Sequence, residues 1–220
     1  MPQVEFNVYL ITDRHQCGCR DLLACIEQAL AGGVRAVQLR EKDLSTRERF
    51  ELGEELRHLT DTFHAALLVN GDAALALALG ADGLHLPQDG MPADVCRRLL
   101  KPEMLLGVST HSLSEAREAQ RMGADFITFG PVYETPSKAK YGRPVGIEAL
   151  RAACAEMGLP VFALGGVKTS NLDEVLSAGA AGVAMISAVL AAPDVAHATS
   201  EFVSRLRQDT SFPKQAKKEG

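Results

Sequence analysis

The chain has 220 residues, a net charge of −5 and 23% charged residues, so it lacks the overall positive charge of a typical nucleic-acid-binding domain. No apolar run reaches the roughly 18 residues that span a bilayer, which predicts no membrane association. The N-terminus lacks a secretion signal, and the five cysteines are an odd number, so we expect reduced thiols and a cytoplasmic protein. The sequence leaves open whether the chain forms a homo-oligomer.

Eight apolar runs rich in β-forming residues alternate with amphipathic stretches along the chain. The predicted strands are residues 8–12, 36–40, 66–70, 83–86, 105–109, 126–130, 161–165 and 183–187. The clearest helical patterns cover residues 21–31, 46–63, 112–122 and 147–157. Glycine precedes the strands that begin near residues 34, 83, 126 and 182, where it can end a helix in a left-handed conformation.

Strands that alternate with glycine-terminated helices predict repeated right-handed βα units. Eight units in this length predict an α/β fold of one domain, a (β/α)8 TIM barrel over residues 1–208. An open, doubly wound sheet is the alternative, but its G-x-G-x-x-G fingerprint after the first strand is absent. Residues 209–220 form a charged tail that we expect to be disordered.

The end of the second predicted strand carries an amide and two cations. Side chains alternate across a strand, so Gln38, Arg40 and Lys42 are predicted to share one side. At the mouth of a barrel these three residues, here called the anion clamp, would bind a phosphate or diphosphate. The alternative is a solvated strand end in which the two cations pair with Glu41 and Asp43.

A second anion site is predicted where the last two strands end. Gly165-Gly166 allows backbone N–H groups to approach an anion, and Ile186-Ser187 precedes the last helical region. The loops after strands seven and eight are the usual phosphate site of such barrels. The long sixth loop carries Thr135-Pro136-Ser137-Lys138, which offers two hydroxyl groups and a cation and would join the anion clamp in a site distinct from this one. Two anion sites in one mouth predict small phosphorylated substrates, either two phosphorylated ligands or one ligand phosphorylated at both ends.

The motifs at the strand ends, in this order, resemble those of the thiamine phosphate synthase family. They are Gln38-Leu39-Arg40-Glu41-Lys42, Asn70, His85-Leu86-x-Gln88, Gly107-Val108-Ser109-Thr110-His111-Ser112, Gly130-Pro131-Val132, Thr135-x-Ser137-Lys138, Gly165-Gly166 and Met185-Ile186-Ser187. The resemblance covers residues 7–207. It implies a TIM barrel that joins hydroxymethylpyrimidine diphosphate to thiazole phosphate in thiamine biosynthesis and releases diphosphate.

The resemblance also assigns roles to particular residues. The pyrimidine diphosphate would be held by Gln38, Leu39, Arg40, Glu41, Lys42, Asn70, Ser109 and Lys138. The thiazole phosphate would be held by Thr135, Pro136, Ser137, Gly166, Ile186 and Ser187. Because negative charge grows on the leaving diphosphate, Arg40, Lys42, Ser109 and Lys138 are the expected catalytic residues.

The chain departs from the family pattern at the expected magnesium ligands. The family has an aspartate directly after the asparagine of the third strand, and another two residues after the glutamine of the fourth. This chain has Gly71 and Gly90 at those positions, so the Mg²⁺ cofactor is in doubt. Asp72 and Asp89 lie one residue away and are possible substitutes, although one step along an extended segment reverses side-chain direction.

Two other functions remain open. A thiazole tautomerase shares the fold and the thiazole phosphate site but needs no diphosphate or metal, and His111 would be its general acid or base. Glu134 also fits that branch, whereas the anion clamp has no evident use in it. The other function is a non-catalytic binder of thiazole phosphate or thiamine phosphate.

Overall fold

The computed structural model describes residues 2–135 and 143–208. Eight parallel strands close into a barrel in sequential order, and β8 pairs with β1. The strands are β1 Val8–Ile11, β2 Ala36–Leu39, β3 Ala66–Asn70, β4 Gly83–Leu86, β5 Leu105–Thr110, β6 Phe126–Phe129, β7 Val161–Leu164 and β8 Gly182–Met185. The TIM-barrel prediction is confirmed, and each predicted strand lies within two residues of an observed one.

Helices follow the strands and cover the outside of the barrel. They are α1 Leu22–Ala31, α2 Thr46–Thr62, α3 Ala73–Ala78, α4 Ala93–Leu99, α5 Leu113–Arg121, α6 Ile147–Glu156, α7 Leu172–Ser177, α8 Ser187–Leu190 and α9 Val195–Gln208. The expected glycine turns are present, since Gly33, Gly80, Gly123 and Gly179 all have positive φ. None of the helices in the described part of the chain is long and apolar enough to cross a membrane.

The barrel interior is aromatic at its N-terminal end and polar towards its C-terminal end. Phe6 lies against Tyr9, Phe126 and Phe162, with ring centroids 5.3–5.6 Å apart. The next residues on this inner face are Gln38, Asn70, His85, Ser109 and Thr128, which β2 to β6 contribute in turn. The aromatic layer lies directly below the polar layer along the barrel axis.

Two aspartates tie the helix-to-strand turns to the sheet. Asp82 accepts a hydrogen bond from the backbone N–H of Leu67 (2.7 Å) and pairs with Arg57 (2.6 Å). Asp125 repeats this arrangement with the N–H of Leu106 (2.8 Å) and with Arg97. The two carboxylates differ in exposure, because the Asp125 side chain is 4% exposed and the Asp82 side chain 46%.

This difference predicts unequal effects on stability. Asp125→Ala leaves Arg97 and a strand N–H without their buried partner, so we expect a loss of about 3 kcal/mol. Asp82→Ala removes the more exposed equivalent and should cost about 1 kcal/mol. Urea unfolding of both variants measures the difference, and equal losses would contradict this account of the turns.

Candidate functional site

The anion clamp lies where β2 ends, but its three side chains do not form a continuous strand face. Gln38 is buried in the barrel and donates from Nε2 to the Tyr9 hydroxyl (2.8 Å). β2 ends at Leu39, Arg40 is half-buried, and Lys42 is exposed in a turn. The predicted alternation therefore does not extend to Lys42, because the strand ends before that residue.

The clamp cations are not paired with the neighbouring carboxylates. Glu41 is buried and accepts from the Arg14 guanidinium (3.1 Å). Asp43 is bound by both terminal nitrogens of Arg14, at 2.6 Å each. Within residues 2–135 and 143–208, neither Arg40 nor Lys42 has an ion pair. The solvated strand end in which these cations pair with Glu41 and Asp43 is therefore not observed.

Glu41 was expected to contact the pyrimidine diphosphate, and its side chain is placed differently. Its carboxylate also accepts from the backbone N–H of Arg14 (3.2 and 3.3 Å), and the side chain is only 1% exposed. Leu39 is buried as well, at 2%. These two residues contribute backbone and packing to the clamp loop, since their side chains are enclosed by protein.

A buried histidine lies beside the predicted Ser109. His85 Nε2 is 3.0 Å from the Ser109 hydroxyl, and His85 Nδ1 has no hydrogen-bond partner among the described residues. Burial, and then the nearby positive charge of Arg40, lower the pKa of His85 to about 3. His85 is therefore neutral at neutral pH. The sequence motif that contains His85 assigns it no role, and no motif includes Tyr9.

Three strands meet through these contacts. Asn70 is the residue of β3 that is paired in register with His85 of β4, and Ser109 belongs to β5. With Gln38 on β2, the expected pyrimidine-site residues follow one another around half of the mouth. Lys138, which was expected to complete the group, lies outside the described residues.

The expected thiazole phosphate residues that the structure describes, which are Thr135, Gly166, Ile186 and Ser187, follow β6, β7 and β8 in the other half of the barrel. Gly165 and Gly166 have φ of 93° and 69°, and Tyr133 donates from its backbone N–H to the Gly165 carbonyl (3.0 Å). This bond joins the loop after β6, which leads to Thr135, to the loop after β7. Ile186 precedes α8 and Ser187 opens it. Pro136 and Ser137 are outside the described residues.

His111, the expected acid or base of a tautomerase, is exposed on the loop after β5. Its backbone N–H donates to Glu115 Oε2 (2.7 Å), and its Nδ1 lies 3.3 Å from the same oxygen. Glu115 belongs to the first turn of α5. These contacts with Glu115 hold His111 against the first turn of α5.

The carboxylates near the expected magnesium position do not fit the two-aspartate site of the family. Asp72 accepts from the Leu75 N–H (3.0 Å) at the start of α3 and pairs with Arg49 (3.3 Å), while Asp89 is exposed. Across the described ranges, no three His, Cys, Asp or Glu side chains are placed to hold a metal. The presence of Mg²⁺ is not confirmed.

Pro87 occupies the space between the two glycines. A Cβ at Gly71 would lie 3.5 Å from Pro87 Cδ, and a Cβ at Gly90 would lie 3.0 Å from the same atom. A side chain at Gly90 would therefore press on the proline ring and on the Pro87 carbonyl oxygen, also 3.0 Å away, whereas one at Gly71 would make ordinary contact with the ring.

The closed eight-stranded barrel and the polar residues at its mouth are typical of a (β/α)8-barrel enzyme. Residues 8–189 match the family described as thiamine monophosphate synthase, and the chain belongs to this family. A putative thiamine-phosphate synthase of Geobacter sulfurreducens is 61% identical over 88% of this chain and 91% of its own length. The thiamine-phosphate synthase of Moorella thermoacetica is 44% identical over 94% and 99%.

Solved structures agree with this assignment. The thiamine phosphate pyrophosphorylase of Pyrococcus furiosus superposes with a TM-score of 0.85 at 37% identity, covering 92% of this chain and 96% of its own. A 3-hexulose-6-phosphate synthase reaches a TM-score of 0.69 at 18% identity, which establishes only the common fold. The family match makes the chain a transferase of thiamine biosynthesis, and the tautomerase and binder alternatives are not favoured.

Proposed function

We propose that the chain condenses hydroxymethylpyrimidine diphosphate with thiazole phosphate to form thiamine phosphate and diphosphate. The observation that carries this proposal is the pair of cations, Arg40 and Lys42, which have no carboxylate partner in the described ranges. Arg40 is also close enough to the polar barrel interior to lower the pKa of His85. A tautomerase has no diphosphate to neutralise, so it would have no use for this arrangement.

The polar interior supports a ring substrate with hydrogen-bonding groups. His85 Nδ1 and the Thr128 hydroxyl are buried without a partner among the described residues. Buried polar atoms normally have partners, so such atoms near a binding site favour a polar ligand. Gln38, Asn70 and Ser109 lie on the same inner face and would contact the pyrimidine.

The reaction is a displacement at the pyrimidine methylene carbon. The carbon–oxygen bond breaks and its electron pair leaves with diphosphate; the thiazole nitrogen then supplies the pair for the new carbon–nitrogen bond. Negative charge grows on the departing oxygen, and fixed cations stabilise that charge in the transition state. We assign this role to Arg40 and Lys42, with Lys138 as a third cation, and to the Ser109 hydroxyl as a donor.

The second substrate would be bound across the mouth. Backbone N–H groups around Gly166 and Ser187 suit a phosphate, as do the hydroxyl groups of Thr135 and Ser137. This assignment puts the thiazole phosphate and the pyrimidine diphosphate in opposite halves of one mouth. A cytoplasmic location also belongs to this proposal and rests on the odd number of cysteines.

One assay tests the proposed function. Purified protein with both substrates should release diphosphate and form thiamine phosphate in equal amounts, which chromatography and a diphosphate assay measure. Omission of either substrate should abolish both products. Aromatisation of a thiazole phosphate tautomer without any thiamine phosphate would overturn the proposal, and so would binding without turnover.

The local structure around Pro87 predicts weak dependence of diphosphate binding on Mg²⁺. The triple variant Gly71→Asp/Pro87→Gly/Gly90→Asp places two carboxylates towards the ligand. We expect it to bind diphosphate at least tenfold more tightly with Mg²⁺ than with EDTA, a difference of about 1.4 kcal/mol. Titration calorimetry with inorganic diphosphate, with Mg²⁺ or EDTA, measures the effect, and Pro87→Gly alone is the control. A wild-type protein with the same tenfold dependence would contradict this prediction.

A further inference from the structure

The segment after β1 stays attached to the anion clamp beyond the end of the strands. The last residue of β1, Ile11, is paired in register with Gln38. Thr12 then donates its N–H to the Gln38 carbonyl (2.9 Å), and its buried hydroxyl accepts from the Arg40 N–H (2.8 Å). The backbone of the clamp is thus held by residues that the family resemblance did not assign.

Arg14 continues this attachment with its side chain. Its guanidinium binds Glu41 at 3.1 Å and both oxygens of Asp43 at 2.6 Å. A planar guanidinium that meets a carboxylate through two parallel bonds forms one of the stronger pairs available to a side chain. The same guanidinium holds the pKa of Asp43 well below its usual range. Asp43 is therefore an anion whenever the protein is near neutral pH.

The charges of the clamp loop alternate along the sequence. Arg40, Glu41, Lys42 and Asp43 are consecutive, so each clamp cation has a carboxylate as its chain neighbour. If those carboxylates paired with the cations, they would compete with a bound diphosphate. In the structure both carboxylates bind Arg14 instead, and the Asp43 carboxylate also lies 3.0 Å from His15 Nε2.

We propose that Arg14 is a positioning residue that binds the Glu41 and Asp43 carboxylates and so keeps Arg40 and Lys42 available for a diphosphate. This inference rests on the proposed function, since it explains how the loop that binds the leaving group stays cationic. Arg14 touches no substrate in this scheme. It acts through Asp43 above all, because Glu41 is also held by the Arg14 backbone N–H.

The test compares binding of inorganic diphosphate to the wild type, Arg14→Gln, Asp43→Asn and Arg14→Gln/Asp43→Asn by titration calorimetry without Mg²⁺. Glutamine keeps the backbone N–H that binds Glu41 but releases Asp43 from the guanidinium, which leaves His15 as its side-chain partner. We expect Arg14→Gln to weaken binding about tenfold, or roughly 1.4 kcal/mol. The double variant should return to within about threefold of the wild type, because the freed anion is gone. Asp43→Asn alone should bind at least as well as the wild type.

Arg117→Gln is the matched control, because it breaks an exposed pair with Glu156 on the helical surface and should leave diphosphate binding unchanged. If Arg14→Gln binds like the wild type, the inference is overturned. It is also overturned if the double variant stays as weak as Arg14→Gln, since Arg14 would then act only by supporting the loop. Asp43→Asn, which keeps Arg14, is decisive if Arg14→Gln does not fold: weaker binding by Asp43→Asn would overturn the inference.

Turnover separates this inference from the proposed function. In Arg14→Gln the KM for the pyrimidine diphosphate should rise, while the KM for thiazole phosphate stays within twofold. If the wild type makes thiamine phosphate and Arg14→Gln changes neither KM, the role of Arg14 is refuted and the proposed function stands. A wild-type protein that binds no diphosphate would refute the proposed function, and the inference with it.

Discussion

Arg40→Ala is expected to lower kcat/KM for thiamine phosphate formation by about 10²- to 10³-fold, because it removes one fixed donor to a developing anion. Arg40 is half-buried at the end of β2, and its charge lowers the pKa of the buried His85, so it acts inside the mouth. The loss should fall on kcat, because charge on the diphosphate oxygen grows as the bond breaks. Steady-state kinetics with both substrates measures it.

Two comparisons make the Arg40 result specific. Arg121→Ala removes an arginine from the exposed face of α5, where its partner is Glu118, and should leave the kinetics unchanged. Binding of thiazole phosphate to Arg40→Ala should also remain within twofold, because that ligand is assigned to the other half of the mouth. Equal losses for the two substrates would contradict the division of the site into two halves.

The sequence predicts the barrel because its signals are local. Each strand is a short apolar run, and glycine with positive φ marks turns such as those at Gly80 and Gly123. Which face of each strand looks inward is not predictable, since strands of a parallel barrel are buried on both faces and their pattern does not alternate. Tyr9 and His85 therefore gave no signal that they lie on the inner face.

The site is predictable only in part, because some of its contacts depend on strand register and loop packing, which leave no local signal in the sequence. Arg40 ends one predicted strand and Gly166 follows another, so the closure of the barrel brings them to one end. The bonds from Arg14 to Glu41 and Asp43 depend on the register between β1 and β2, which places residues 27 and 29 positions apart side by side. The local charge pattern instead left pairs between neighbours open as an alternative. The effect of Pro87 likewise depends on how two loops pack.

Gly166→Ala is expected to weaken thiazole phosphate binding by about 10- to 100-fold, or roughly 1.4–2.8 kcal/mol. Gly166 has φ of 69°, and a Cβ there would lie 2.6 Å from Tyr133 Cβ and 2.8 Å from the Glu134 carbonyl oxygen. The loop after β6 must therefore move, and Thr135 follows Glu134 directly. The KM for thiazole phosphate should rise, while diphosphate binding at the other half of the mouth stays close to the wild-type value.

Gly80→Ala separates this crowding from the conformational cost of a side chain. Gly80 also has positive φ, 57°, but a Cβ there would meet no atom within 4 Å. Both variants carry a left-handed alanine, which costs about 1–2 kcal/mol, so both should lose thermal stability. Only Gly166→Ala displaces the loop that carries Thr135, so only it should raise the KM for thiazole phosphate. An equal rise in Gly80→Ala would mean that general destabilisation, rather than displacement of the phosphate loop, accounts for the effect.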